Sequence, residues 1–317
     1  MAVAGAAASR STVELALRGK RHDVAGRVFS GLLLLSLLLS LLILVTLLLN
    51  VVMDAWPVLS TRGLDFLTGN VSRFESRAGV RQGLVGSLIL IGFVAVIAVP
   101  LGIAAAVYLQ EYARDTSRVN RALIANIRNL AGVPSIVYGI LGLVVFAQAL
   151  RAITGPAPGV SGLSYISGGL TLAVLVMPFM IIITMEALRA VPRSIREAAY
   201  GVGATRWEVV RSHVLPYAAP GIFTGSILAL ARAFGETAPI LLVGAVTGYL
   251  STGGSHGVIE TLQGRYTALP TLIFAWSKEP GEEWRALTAA AIVVLLVVIL
   301  VVNLAAILLR NRYERKW

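Results

Sequence analysis

The chain has 317 residues, 57% of them hydrophobic and only 14% charged, with a mean hydropathy of +0.81 and no cysteine. Soluble domains carry about 25% charge, so a water-soluble globule, a disordered chain and a disulfide scaffold are all excluded. The apolar surface must be hidden in lipid, yet the net charge is +11, which invites a nucleic-acid reading until the basic residues are located.

Residues 1–28 form a basic leader with Arg10, Arg18, Lys20, Arg21 and Arg27. It resembles a secretory signal, but the apolar run from Phe29 to Val52 is too long for a signal core. No small-x-small cleavage pattern follows, since the chain continues Met53-Asp54-Ala55-Trp56-Pro57. A retained membrane helix is expected. Five further apolar stretches follow at Leu84 to Leu109, Asn129 to Leu150, Ile166 to Met185, Ile222 to Val246 and Ala286 to Leu309. Each reaches the roughly 20 residues that cross a bilayer as a helix. The expectation is an all-α integral membrane protein with six transmembrane helices in a single domain, 29–309, and a short tail, 310–317. Within these spans the charged residues are Arg232 and Glu236 alone.

Counted by alternate connection, 18 of the 27 Lys and Arg fall on one side and 8 on the other, with Arg232 left over. The positive-inside rule then places both termini in the cytoplasm of a multi-pass protein of the bacterial inner membrane. On this reading the basic excess is an orientation signal and no nucleic-acid partner is expected; the partner of the apolar surface is membrane lipid. The largest external segments are Met53 to Gly83 and Thr247 to Arg285. The second carries a Gly/Ser patch, Ser251 to Gly257, with Trp276 and Trp284 as expected interface anchors.

Several chemistries are missing. The Gly-Lys pair Gly19-Lys20 has Glu14 where a phosphate-binding Walker loop needs its first glycine. His22, His213 and His256 lie in three separate segments, which argues against a histidine metal site. No G-x-S-x-G elbow or Cys-His pair is present. No catalytic residue, metal site or cofactor is expected in this chain.

The segment 189–216 on the cytoplasmic side reads as two short helices at an angle. Ser194 with Glu197 and Thr205 with Glu208 have capping-box spacing. Gly201 and Gly203 permit one helix to end and another to begin, and Pro216 is expected to bar an uninterrupted helix into the fifth span. The product is an exposed knob that another protein could grip.

The fifth span carries Arg232-Ala233-Phe234-Gly235-Glu236-Thr237-Ala238-Pro239, read as the middle of an apolar helix. An arginine at the bilayer centre costs about 2.5 to 3.5 kcal/mol on insertion scales, so it needs partners or a water-filled path. Glu236, four residues on, shares its helical face. Pro239 removes the N–H that would bond the carbonyl of Gly235 and loosens the helix there; Pro100 and Pro134 are expected to kink the second and third spans. An arginine fork suits an oxyanion. A neighbouring carboxylate suits one that carries protons, because the P–OH of hydrogen phosphate can donate to Glu236 while its bare oxygens accept from Arg232; sulfate has no such proton. A purely structural ion pair is the alternative.

Glu197-Ala198-Ala199, followed by Gly203 and then Leu215-Pro216, resembles the EAA loop of ATP-binding-cassette importer permeases. His213 stands where that pattern usually has an aliphatic residue. The resemblance narrows to the permeases of phosphate-specific transporters on Arg232 to Pro239, on Val99-Pro100-Leu101-Gly102-Ile103 leading to Tyr108-Leu109-Gln110-Glu111-Tyr112-Ala113, and on Gly132-Val133-Pro134-Ser135-Ile136-Val137-Tyr138-Gly139. It covers about Arg81 to Asn311, and Thr237-Ala238-Pro239 is similar to the A-type subunit more than to the C-type.

The resemblance implies a type I (MetI-like) permease fold. It implies that Glu197, Ala198, Ala199, Gly203 and Trp207 contact an ATPase, that Arg232, Glu236 and Thr237 line the substrate path, and that ATP and Mg belong to the partner. The implied partners are a homologous C-type permease subunit, two copies of a nucleotide-binding ATPase and an extracytoplasmic phosphate-binding protein. A permease for phosphonate, molybdate or sulfate, a secondary transporter using Glu236 as proton carrier, and a signalling membrane protein remain as alternatives.

Overall fold

A computed structural model describes residues 24–114, 117–155, 162–245 and 258–313. His22, His256, the Ser251 to Gly257 patch and most of the basic leader and C-terminal tail lie outside the described residues. Among the described residues the chain is helical, with one isolated bridge between Ala245 and Tyr266 in place of any strand.

The chain divides after Asn50 into two units. The described part of the first is one leucine-rich helical stretch, the beginning of helix α1 (Val24–Thr68). Two of its hydroxyls bond their own backbone, Ser40 to the carbonyl of Leu37 and Thr46 to that of Leu42, both at 2.8 Å, so neither requires an outside partner. In the second unit α1 continues from Val51 and breaks geometry at Gly63, whose φ of 39° and ψ of −113° no L side chain adopts comfortably.

The rest of the second unit contains α2 (Arg81–Val107) with a π-helical turn, Tyr108–Tyr112, then α3 (Arg118–Ala131) and α4 (Ser135–Gly142), the latter extended by a π-helical segment to Ala149. After the short α5 (Arg151–Thr154) come α6 (Tyr165–Arg189), α7 (Arg193–Gly201), α8 (Arg206–Val209) and α9 (Leu215–Gly235). The chain then forms α10 (Ala238–Leu242), α11 (Val258–Leu262), α12 (Leu269–Trp276) and α13 (Glu282–Tyr313). Five helical runs are long and apolar enough to cross a membrane, and the bent pair α3 and α4 makes six.

Three expectations are corrected. The third span has its expected break at Pro134, where α3 and α4 meet at 100° across Gly132-Val133-Pro134, but it starts at Arg118 and not at Asn129. Pro134 has no N–H to continue the helix and disfavours a helical Val133, and α3 carries Arg118, Arg121 and Arg128, which do not belong in a hydrocarbon interior. The fifth span does not run to Val246 but ends at Gly235. Pro216 does not bar entry into it, because the run from Arg206 to Gly235 is carried past the proline by a π-helical turn, Val210–Val214, which widens the backbone just before the ring.

Helix α6 is the centre of the second unit, packed against α2, α9, α3 and α4. Leu172, Val176 and Met180 on it are buried with Val94 and Ala98 of α2 and Ala229 and Ala233 of α9. A separate cluster joins Phe66 to Trp276 and Trp284, whose rings stand 5.8 Å apart. Both tryptophans are under 9% exposed. They are core residues of the segment they were expected to anchor at the interface, because they find each other and Phe66 before they find lipid.

Helices α4 and α10 pack so closely that a Cβ on Gly139 would stand 2.7 Å from the Cα of Pro239. Gly139→Ala must push the two backbones apart and should lose about 1 to 3 kcal/mol, measured as a lower midpoint in thermal unfolding of the detergent-solubilised protein. Gly201→Ala, with no atom within 4 Å of the added carbon, should stay within about 0.5 kcal/mol of the parent.

Candidate functional site

The charged pair is built at a helix end. Backbone at Glu236 turns extended (φ −72°, ψ 123°), Thr237 follows, and Pro239 occupies the first turn of α10, where a missing N–H costs nothing. Arg232 and Glu236 therefore do not sit in mid-helix, and Pro239 starts a helix instead of loosening one. The interruption makes a better cation site than an intact helix would: Arg232 lies in the last turn of α9, where unpaired carbonyls and the helix dipole favour positive charge.

Arg232 Nε stands 3.5 Å from Glu236 Oε1, and its guanidinium lies 5.7 Å from the centre of the Phe179 ring. The arginine side chain is 43% exposed and the glutamate 18%. One long bond to Glu236 leaves most of the five guanidinium donors uncommitted to that carboxylate. Thr237 is half-buried beside them.

Helix α4, which follows the break at Pro134, packs on α10, which follows the break at Glu236-Thr237. Tyr138 reaches back across the first interruption and donates from its hydroxyl to the carbonyl of Leu130 at 2.8 Å. Ser135 opens α4 half-buried, whereas Asn129 is exposed. Pro100 is not part of this arrangement: α2 passes through it without interruption. Pro134 and Pro239 thus stand at the starts of two short helices that pack together, with Arg232, Glu236 and Thr237 at the second break.

The 189–216 segment folds as the expected helix, turn and helix. Its first cap differs, because Pro192 (φ −56°, ψ 140°) starts α7 without a side-chain cap and leaves Ser194 inside the first turn, so the Ser194/Glu197 box does not form. The second box does form: the backbone N–H of Thr205 donates to Glu208 Oε2 at 2.7 Å, and that of Glu208 to Thr205 Oγ1 at 3.4 Å. Gly203 holds the intervening turn at a φ of 85°.

Glu197, Ala198, Gly203 and Trp207 are exposed, in company with Tyr200 and Val202. Ala199 is not, being packed inward with Val209 and Val214. Together the exposed residues form a bare surface of aromatic and aliphatic side chains beside a carboxylate. Not anticipated was how this segment is held: three arginines from it, Arg189, Arg196 and Arg206, reach the π-helical turn Tyr108–Tyr112. The available signal was the arginine surplus in 189–211 facing a polar Gln110-Glu111 pair at the end of an apolar span. Among the described residues no three His, Asp or Glu side chains lie together as a metal site.

The family described as "Binding-protein-dependent transport system inner membrane component" matches residues 98–315, and the chain belongs to it: it is a multi-pass inner-membrane permease component. Within that class, the PstA 1 phosphate transport system permease of Mycobacterium tuberculosis H37Rv is 33% identical over 82% of this chain and 76% of its own. The phosphate permease PstC of Mesorhizobium japonicum is 33% identical over 71% of each chain. Among solved structures, a bacterial alginate ABC transporter in complex with a pentasaccharide-bound periplasmic protein superposes with a TM-score of 0.62 at 15% identity, over 91% of this chain and 96% of that one. The MetNI methionine ABC transporter, in an inward-facing form, gives 0.53 at 18% identity, over 80% and 98%. These last two establish the type I permease fold.

Thr205→Ala removes one half of the α8 capping box. It should weaken the start of that helix by about 1 kcal/mol, read as a roughly fivefold faster hydrogen exchange of the amides of residues 207–209, with α6 unaffected.

Proposed function

We propose that this chain is one half of the translocation path of an ATP-driven inorganic phosphate importer. The observation that carries the reading is the Arg232–Glu236 pair at the helix break, in a chain whose relatives of both types are phosphate permeases. Irregular backbone at membrane depth is tolerable only against protein or an aqueous cavity, and half-helix ends are suited to ligands crossing the membrane. Hydrogen phosphate satisfies both side chains at once: its unprotonated oxygens accept from Arg232 and its P–OH donates to Glu236. Sulfate would meet an unrelieved negative charge.

The exposed face at Glu197, Ala198, Gly203, Tyr200, Val202 and Trp207 is the dock for a nucleotide-binding ATPase, of which two copies serve the two permease halves. ATP and Mg bind there and not to this chain. The second half is a homologous C-type permease, and this chain is the A-type on the strength of Thr237-Ala238-Pro239. A phosphate-binding protein delivers substrate on the extracytoplasmic side, and both termini face the cytoplasm, in keeping with the excess of arginine on that side. Closure of the ATPase dimer moves the two docking loops, the permease halves rock apart, and the Arg232–Glu236 site opens to receive phosphate.

Reconstituted with its ATPase and companion subunit in proteoliposomes, Arg232→Gln should lower phosphate uptake about 10- to 100-fold, the equivalent of one charge-assisted bond of about 1.5 to 3 kcal/mol. Glu236→Gln should let sulfate compete with phosphate. If Arg232→Met with Glu236→Leu assembles and still imports phosphate at the parent rate, the pair is structural and the substrate assignment falls. Uptake persisting without the ATPase would point to a secondary transporter.

Glu197→Arg inverts the charge on the docking face without touching the core. The variant should insert in the membrane normally but lose co-purification of the ATPase, with retained ATPase binding and uptake marking the dock as misplaced.

A further inference from the structure

Three consecutive residues at the end of α2 are each gripped by a different arginine of the docking segment. Gln110 Oε1 accepts from Arg189 Nε at 3.0 Å. The Glu111 carboxylate takes the Arg196 fork, with Oε1 at 2.7 Å from Nη2 and Oε2 at 3.4 Å from Nε. Arg206 donates to the backbone carbonyl of Glu111 and lays its guanidinium 5.0 Å from the Tyr112 ring centre. Arg196 precedes the Gly203 turn and Arg206 follows it, so the α2 terminus is held from both arms of the docking knob.

Arg196 is the most committed of the three. Beyond Glu111 it donates to the last carbonyls of the preceding helix region, Nη1 to Val191 at 2.8 Å and Nη2 to Leu188 at 2.9 Å. Both lie at the C-terminal end of α6, where the helix dipole is negative; the Leu188 carbonyl also accepts from the Val191 N–H at 3.3 Å. One planar guanidinium therefore ties α7 to the ends of both α2 and α6. The pair is well shielded, with the arginine side chain 20% exposed and the glutamate 11%, which sets it apart from surface ion pairs that contribute little. A bidentate fork also resists rotation as well as separation. The receiving end is a π-helical turn, a wider and looser coil than the α-helix it terminates, so without the arginines it would yield under load.

We propose that Arg196 and Glu111 form the strut that passes displacement of the docking helix α7 to α2, making them positioning residues for coupling. The inference rests on the ATPase-dock reading above. A chain link alone could not do this. The docking knob is joined covalently to α6 and α9, whereas the end of α2 is 79 to 95 positions away in sequence across these contacts and receives motion only through noncovalent contacts. Since α2 packs along α6 and α9, moving all three together rocks the unit as a body; leaving α2 behind would shear the core at Val94 and Ala98.

The test uses the full transporter in proteoliposomes and reads phosphate imported per ATP hydrolysed. Arg196→Met should lower that ratio at least tenfold with the ATPase still bound, and Arg196→Lys, which keeps the charge but not the fork, should fall between. An unchanged ratio in Arg196→Met overturns the proposal. Because the chain has no cysteine, paired spin labels at Ser194→Cys and Tyr108→Cys give a second measurement that needs no substituted strut and no transport. On ATP binding their separation should hold while that from Ser194→Cys to Leu304→Cys changes; a Ser194 to Tyr108 separation that changes equally means that no strut exists. Failure of the unsubstituted complex to import phosphate would overturn the substrate assignment, leaving the distance measurement to decide the strut.

Discussion

A helix interrupted inside a membrane leaves carbonyls and N–H groups that no bulk water reaches, and in this protein the two short helices that follow such interruptions pack on each other. One interruption falls at Gly132-Val133-Pro134 and the other at Glu236-Thr237. Each is made cheaper by residues with little to satisfy: Pro134 and Pro239 have no N–H, and Tyr138 supplies a hydroxyl to the carbonyl of Leu130. The glycine at 139 lets the two short helices approach closely. An Arg and a Glu are tolerable at such depth only where backbone is already irregular and protein-lined.

The surrounding helices serve to keep this pairing in place. Helix α6 lies against α4 on one side and α2 and α9 on others, and Gly142 sits so close to Thr171 that any added carbon would collide with it. Phe179 on the same helix faces the Arg232 guanidinium. A single buried helix thus positions one break through Gly142 and the charged residue of the other through Phe179. Rigid-body motion of the unit can carry the site without dismantling it.

What could be read from the sequence followed from local rules. Span count, the Thr205/Glu208 cap and the turn at Gly203 each depend on a few neighbouring residues, and the folded chain keeps them. The ends of the third and fifth spans could not be read this way, because hydropathy does not distinguish an apolar helix from two apolar helices with a break between them. Leu241, Leu242 and Val243 are as hydrophobic as any residue in α9, yet belong to a separate turn. Trp276 and Trp284 failed for a related reason: composition says that tryptophan favours an interface, and only tertiary contact reveals that Phe66 lies within reach. The charged pair was legible as chemistry but not as geometry. Its residue types announced a charged pair on one helical face, while the folded chain ends α9 at Gly235 and places the pair at a break.

The arginines show how far a residue type underdetermines its role. Arg196 and Arg232 both pair with a glutamate and both belong to stretches where a charge needs justification. Arg196 spends four of its five donors, two on a carboxylate and two on carbonyls at the end of α6. Little is left for a ligand, and removing it would leave the shielded Glu111 carboxylate without its fork, which suits a part that bears load. Arg232 makes one bond at 3.5 Å and keeps 43% of its side chain exposed; its environment supplies a dipole and an aromatic face but few acceptors. A guanidinium with donors to spare at a helix break, with an acid beside it, fits the proposed role as a site for a proton-bearing anion. The division between the two is made by counting donors, and that count exists only once the chain has folded.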